Sequence, residues 1–236
     1  MRPTLPAAIA LALLSSGCVS FTTLGPARTI DEGESQFFLA PEATRVKRNG
    51  KPLLSPQLEF GARYGLTESV ELGLRLWLPN ASLDAKLQLV RSKSENEGFD
   101  LAIDPSFGYL GGFSGTATGD GDTLHILTFG LPLIAGWNLG GGHQLVGGVR
   151  LVDQVWTGSG AATMTANLLF VGSSLGVVFK LGRGLRIAPE LAVGFPLVET
   201  LSGFGTSVGF EGLSGQLGVA FLFGGDAKPQ SADKCE

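Results

Sequence analysis

Between residues 57 and 90, charged and apolar side chains alternate one by one over several consecutive segments, and this alternation constrains the fold more than any other feature of the chain. Gln57, Glu59, Gly61 and Arg63 alternate with Leu58, Phe60, Ala62 and Tyr64. Glu71, Gly73 and Arg75 alternate with Val70, Leu72, Leu74 and Leu76. Successive side chains of a strand point to opposite faces, so each segment has one apolar face and one charged face. Gly65-Leu66-Thr67-Glu68-Ser69 is short enough to join them as an antiparallel hairpin. The register this predicts sets Arg63 opposite Glu71, Gly61 opposite Gly73 and Glu59 opposite Arg75, so opposite charges face each other twice. After a Pro79-Asn80 turn, Leu83, Ala85, Leu87 and Leu89 continue the apolar face, and Asp84, Lys86 and Gln88 the charged one.

The same design predicts a first strand at 34–43 before this stretch and six strands after it, at 99–109, 124–138, 144–155, 165–181, 185–195 and 208–223. Gly172 to Ser174 is a predicted bulge. Basic residues Arg45 to Lys51, polar residues Arg91 to Gly98, and the stretches Leu110 to Thr123, Thr157 to Thr163 and Glu199 to Gly205 are predicted loops. Short joints at Gly65 to Ser69, Gly140 to Gly142 and Gly182 to Gly184 fall on one end, with mostly longer ones on the other. About ten strands joined in this way predict a closed antiparallel up-and-down transmembrane β-barrel, an all-β fold.

Composition agrees. The chain has 236 residues, 36 of them Gly, and only 16% are charged, a balance that fits neither a disordered chain nor a helical bundle. No run approaches the ~18 apolar residues of a membrane-crossing helix. A net charge of -4 spread along the chain predicts no nucleic-acid partner. Residues 1–17, with Arg2, an apolar run from Ala7 to Leu14 and small residues after it, are an expected signal peptide. Residues 18–33 are an expected periplasmic leader, 34–223 the barrel, and 224–236 a disordered periplasmic tail. The segment Leu14-Ser15-Ser16-Gly17-Cys18 resembles the lipobox of bacterial lipoproteins, which implies acylation of Cys18 and a lipid anchor. The other reading is an ordinary signal-peptidase cut, after which Cys18 and Cys235 could pair in an oxidising periplasm.

The polar face decides between a soluble and a membrane barrel. It is dominated by Gly, Ala and Ser, with a few charges that can pair, as a narrow filled bore requires. The expected bore cluster is Glu59, Arg63, Glu71, Arg75, Asp84, Lys86, Arg186 and Glu190. The apolar face of the clear strands carries no charge, and an open sheet edge in hydrocarbon would be prohibitive, so the sheet should close. Tyr64, Trp77, Tyr109, Trp137 and Trp156 fall at predicted strand ends, where interfacial girdles sit; Trp77 and Trp156 are in the polar register and could cap the bore instead. Residues 63–74 and 181–191 resemble strand-turn-strand units of Gram-negative outer-membrane β-barrel proteins. Leu217 to Phe223 is similar to their aromatic-ended last strand. The resemblance implies location in the bacterial outer membrane, with membrane lipid and the barrel assembly machinery as partners.

Chemistry is sparse. His125 and His143 stand far apart along a predicted hairpin, on the order of 30 Å, and cannot share a metal. His125 beside Asp120 or Asp122 is the sole enzyme-like arrangement, without an oxyanion hole or nucleophile motif. No enzyme, cofactor or metal site is therefore expected. The expected function is a small channel or uptake barrel for small molecules, apolar ones included. The alternatives are a non-conducting structural or adhesion barrel, or a lipid-anchored soluble β-barrel domain.

Overall fold

A computed structural model describes residues 20–48, 51–77, 80–114, 123–159, 164–202 and 212–225. Cys18 and Cys235, the expected signal peptide and nearly all of the expected tail lie outside these residues. Eleven strands run in order: β1 Ser35–Arg48, β2 Lys51–Thr67, β3 Val70–Trp77, β4 Asn80–Val90, β5 Gly98–Ile103, β6 Ser106–Ser114, β7 Thr123–Gly140, β8 His143–Ser159, β9 Met164–Gly182, β10 Leu185–Ser202 and β11 Ser214–Gly224. Each pairs antiparallel with its neighbours, and β1 pairs with β11 through Phe37↔Phe223 and Leu39↔Phe221, which closes the sheet.

The barrel has ten staves because β5 and β6 are two halves of one. Both lie between β4 and β7. The predicted strand 99–109 is interrupted at Asp104-Pro105, since proline has no N–H to give the ladder. Bonding nevertheless continues across the break, Ala85 N–H donating to the Pro105 carbonyl at 3.0 Å and Asp104 N–H to the Pro132 carbonyl at 3.1 Å.

Leu58, Leu74, Leu83, Phe107, Phe129, Leu131, Leu151 and Leu191 face outward and are exposed, while the alternate positions turn inward and are buried. An apolar exterior around an interior that holds most of the charged side chains of the staves is the arrangement of a barrel whose solvent is lipid. Tyr64, Tyr109 and Trp137 stand on this exterior; Trp156 points inward, donating from Nε1 to Gln154 at 3.2 Å. Charges interrupt the outer face toward the long-joint end, at Arg45 and Lys47 of β1 and at Asp153 of β8. Asp153 faces outward in the loop-side part of β8, where its neighbours across β9 begin to include polar residues such as Asn167. Leu74→Arg should block assembly, because a cation at mid-depth on the lipid face costs ~2 to 4 kcal/mol. Leu74→Ala should fold, as judged by heat-modifiable migration, and equal folding of the two variants would contradict the assigned face.

Several predicted boundaries move. β1 runs to Arg48 and β2 starts at Lys51, so most of the predicted basic loop is strand. β6, β8 and β10 also extend into stretches expected to be loops. Apolar alternation marks only the part of a strand that touches lipid, whereas the hydrogen-bond ladder continues beyond it. The predicted hairpin register is wrong by two residues. Arg63 pairs with Gly73, Gly61 with Arg75, and Gly65 with Glu71. The turn is the two residues Glu68-Ser69 rather than five, and an irregularity between Gly65 and Thr67 absorbs the difference. No bulge occurs at Gly172 to Ser174, where β8 and β9 pair without a shift.

Candidate functional site: a bore occupied by the chain's own N-terminal segment

The largest departure from expectation concerns residues 18–33. The described part of the expected periplasmic leader, from Ser20 onward, runs through the inside of the barrel as a strap, with Phe21, Thr22, Leu24, Ala27 and Ile30 each at most 4% exposed. The strap enters the wall at the rim that carries the short joints. There Gly33 N–H donates to the Gly65 carbonyl at 2.9 Å, Gly65 N–H to the Glu34 carbonyl at 3.0 Å, and Arg91 pairs with Asp31 at 2.5 Å. From this rim, traced backward, it ascends to Ser20, whose carbonyl accepts from Arg150 Nη1 at 2.6 Å.

An extended segment cannot bond its own backbone groups, and buried groups left unpaired cost ~1 to 3 kcal/mol each. Here the wall supplies the partners. The N–H groups of Phe21, Ala27, Thr29 and Ile30 donate to Gln216 (2.8 Å), Gln144 (2.8 Å), Gln88 (2.7 Å) and Glu71 (2.9 Å). Thr23 and Leu24 N–H converge on the two carboxylate oxygens of Glu190, at 2.7 and 2.8 Å. That convergence accompanies a left-handed φ of 53° at Leu24, a conformation uncommon for a residue other than glycine. Lys86 Nζ donates to the Pro26 carbonyl at 3.1 Å.

The bore has two unlike walls. Strands β7 to β11 with β1 supply apolar side chains, among them Phe38, Ile134, Val146, Phe170 and Leu222, against which Phe21, Leu24 and Ala27 pack. Phe21 lies edge-on to Phe170, with centroids 6.2 Å apart. It also covers Gly172 and Gly194, where an added Cβ would stand 2.3 and 2.1 Å from its ring. Gly172, read from the sequence as a bulge, instead makes room for this ring.

Strands β2 to β4 with Asp104 supply the charges. Arg63 reaches Glu71 at 2.5 Å, Asp84 at 3.2 Å and Asp104 at 3.3 Å; Arg75 reaches Asp84 at 3.0 Å, Asp104 at 3.3 Å and Glu59 at 3.5 Å; Lys86 reaches Glu71 at 3.3 Å. Six of the eight expected bore charges therefore meet in one network, Lys86 and Glu71 directly opposite each other and the rest by diagonal contacts. Arg186 reaches Glu95 at 3.5 Å, away from the network, and Glu190 binds the strap. Gly73 is a required absence of side chain in this cluster, since its Cβ would lie 2.3 Å from Asp84 Oδ1. Gly73→Ser is consequently not the harmless change its small size suggests.

Arg75 makes a closer contact with Asp84 than with Glu59. A double-mutant cycle of Arg75→Ala with Asp84→Ala should show more coupling than one with Glu59→Ala, read from unfolding in urea. Equal couplings would contradict this geometry.

Glu42, Asp104, Arg150 and Gln216 are bore residues outside the predicted cluster. The available signal was parity, because each sits in an inward position of its stave. Glu42 accepts from Thr22 Oγ1 at 2.5 Å and from Gln216 Nε2 at 2.6 Å. Toward the long-joint end, above Ser20, a cavity of about 40 Å³ remains, lined by Glu59, Arg75, Trp77, Ser82 and Arg150 among others. That is room for a water or two. His125 stands on the outer face, its Nδ1 bonded to Tyr109 Oη at 2.7 Å, and His143 accepts Lys180 N–H at 3.1 Å beside the Gly140 turn. Asp120 and Asp122 lie outside the described residues.

A closed antiparallel barrel with an apolar exterior and a charged, strap-filled bore has the architecture of a transmembrane β-barrel. No protein-family model and no curated protein sequence matches the chain. Among solved structures it is similar to Neisserial surface protein A, at 10% identity over 81% of this chain and 99% of that one, TM-score 0.42. It is also similar to the outer-membrane protease OmpT of Escherichia coli, at 10% identity over 87% and 98%, TM-score 0.40. A third likeness is to the outer-membrane protein OprG of Pseudomonas aeruginosa, at 13% identity over 84% and 99%, TM-score 0.33. Function has to be argued from the bore itself.

Proposed function

We propose that this chain is a small-solute barrel of the bacterial outer membrane that rests closed, sealed by its own N-terminal segment. The observation that carries the reading is the engagement of six strap N–H groups by bore side chains. Such a segment is held by specific bonds and occupies the path a solute would take. The exposed apolar belt supports a membrane location over a lipid-anchored soluble domain. About ten staves enclose a bore that side chains nearly fill, so any passage opened by withdrawing the strap would be narrow and limited to small molecules.

Planar-bilayer recording tests this. Intact protein should be silent or open only briefly, whereas protein lacking residues 1–30, confirmed as folded by heat-modifiable migration, should conduct steadily. Steady conductance of the intact protein would refute closure by the strap. Silence of both proteins would favour the non-conducting structural barrel.

A further inference from the structure

We propose that the bore is a binding site for an extended polypeptide, and that the strap is its resident, exchangeable ligand. This rests on the reading of the strap as a closure and adds to it the chemical class the site recognises.

The wall complements an amide backbone. Acceptors meet N–H groups at Phe21, Thr23, Leu24, Ala27, Thr29 and Ile30. Donors meet carbonyls at Ser20 and Pro26. A sugar or an apolar solute would not present donors and acceptors in that order. All of these partners are side chains and none is a strand edge, so the segment is read without joining the sheet, unlike the usual addition of a peptide strand. Side-chain selection is built in as well. The two glycines beneath Phe21 and the edge-on ring of Phe170 form a slot for one aromatic residue. Apolar residues recur at every third strap position, Phe21, Leu24, Ala27 and Ile30, and all four are buried. Glu42 and Glu190 have no ion-pair partner among the described residues, and each takes a donor from the strap instead. The bore is thus incomplete as a folded interior without a polypeptide in it.

Tethering explains why such a site stays filled. A short linker holds its ligand at a millimolar effective concentration, so an intrinsic dissociation constant of about 1 μM would favour occupancy roughly a thousandfold. A free peptide enters only when the tether is cut or the strap is outcompeted during folding. The recognised class is an extended, largely uncharged segment with one aromatic anchor.

The experiment uses the full chain with a specific protease site inserted between Glu32 and Gly33, both exposed in the turn before β1. The protein is folded in detergent, cleaved, and mixed with a labelled synthetic peptide of residues Ser20 to Asp31. Saturable replacement of the cleaved segment is expected, and a Phe21→Ala peptide should bind at least about tenfold more weakly, as loss of a buried aromatic anchor does. Should the insertion prevent folding, the unmodified chain refolded with excess peptide should capture the label with the same preference. A cleaved segment that never exchanges, with the bilayer still silent, would overturn the exchangeable site and leave the closed barrel standing. Departure of the segment without peptide binding, or binding indifferent to Phe21, would also overturn it. Conductance of the uncleaved protein would instead strike at the closure itself.

Discussion

Replacing Arg63 by methionine is expected to destabilise the barrel by ~3 to 5 kcal/mol, the range seen when one partner of a buried ionic cluster is removed. Arg63 is buried and touches three carboxylates, Glu71, Asp84 and Asp104, at 2.5 to 3.3 Å. Methionine fills part of the same volume but supplies no charge. Asp84 and Asp104 would then share Arg75 alone, and Glu71 would keep Lys86 and the Ile30 N–H. Adding Asp104→Asn should recover part of the loss, because it removes one carboxylate that the deletion left without enough positive charge. Urea unfolding of the refolded protein measures both. A loss below about 1 kcal/mol, typical of a water-exposed pair, would mean that the bore is wet and wide, and the closed reading would fall with it.

The second large effect is expected at Glu190. Glu190→Ala removes the acceptor of both the Thr23 and the Leu24 N–H and of the Thr23 hydroxyl. Two buried backbone donors would be left unpaired, at ~1 to 3 kcal/mol each. The chain can avoid that loss by leaving the bore, where water satisfies both groups. The expected result is therefore release of the strap, not collapse of the wall. Limited proteolysis should cut near Leu24 in the variant and spare it in the parent, while both keep heat-modifiable migration. Glu190→Gln retains one acceptor oxygen and should lie between them. A variant as resistant as its parent would show that the carboxylate does not hold the strap.

These two residues also show where sequence reasoning stops. Arg63 and Glu190 were both legible as bore charges, because the wall is a period-two structure and parity alone assigns a side chain to lipid or to the interior. Parity does not assign partners. Register depends on turn length, and a turn of two residues rather than five displaced the expected pairs while leaving Arg63 within reach of Glu71. Strand ends were blurred for a related reason, since the ladder outlasts the lipid that imposes the alternation.

Closure, ten staves, an apolar exterior and small residues among paired charges inside were thus determined by the sequence itself, through local periodicity and the need to satisfy every backbone group in lipid. The position of the strap was not. Phe21 to Ile30 shows a period of three, yet a segment without hydrogen bonds of its own carries no local sign of where its partners lie. Those partners, Gln216, Glu190, Gln144, Gln88 and Glu71, are scattered over much of the chain. Only closing the barrel brings them to one path, and only the size of that path, set by glycines such as Gly172 and Gly194 on adjoining staves, lets a polypeptide occupy it.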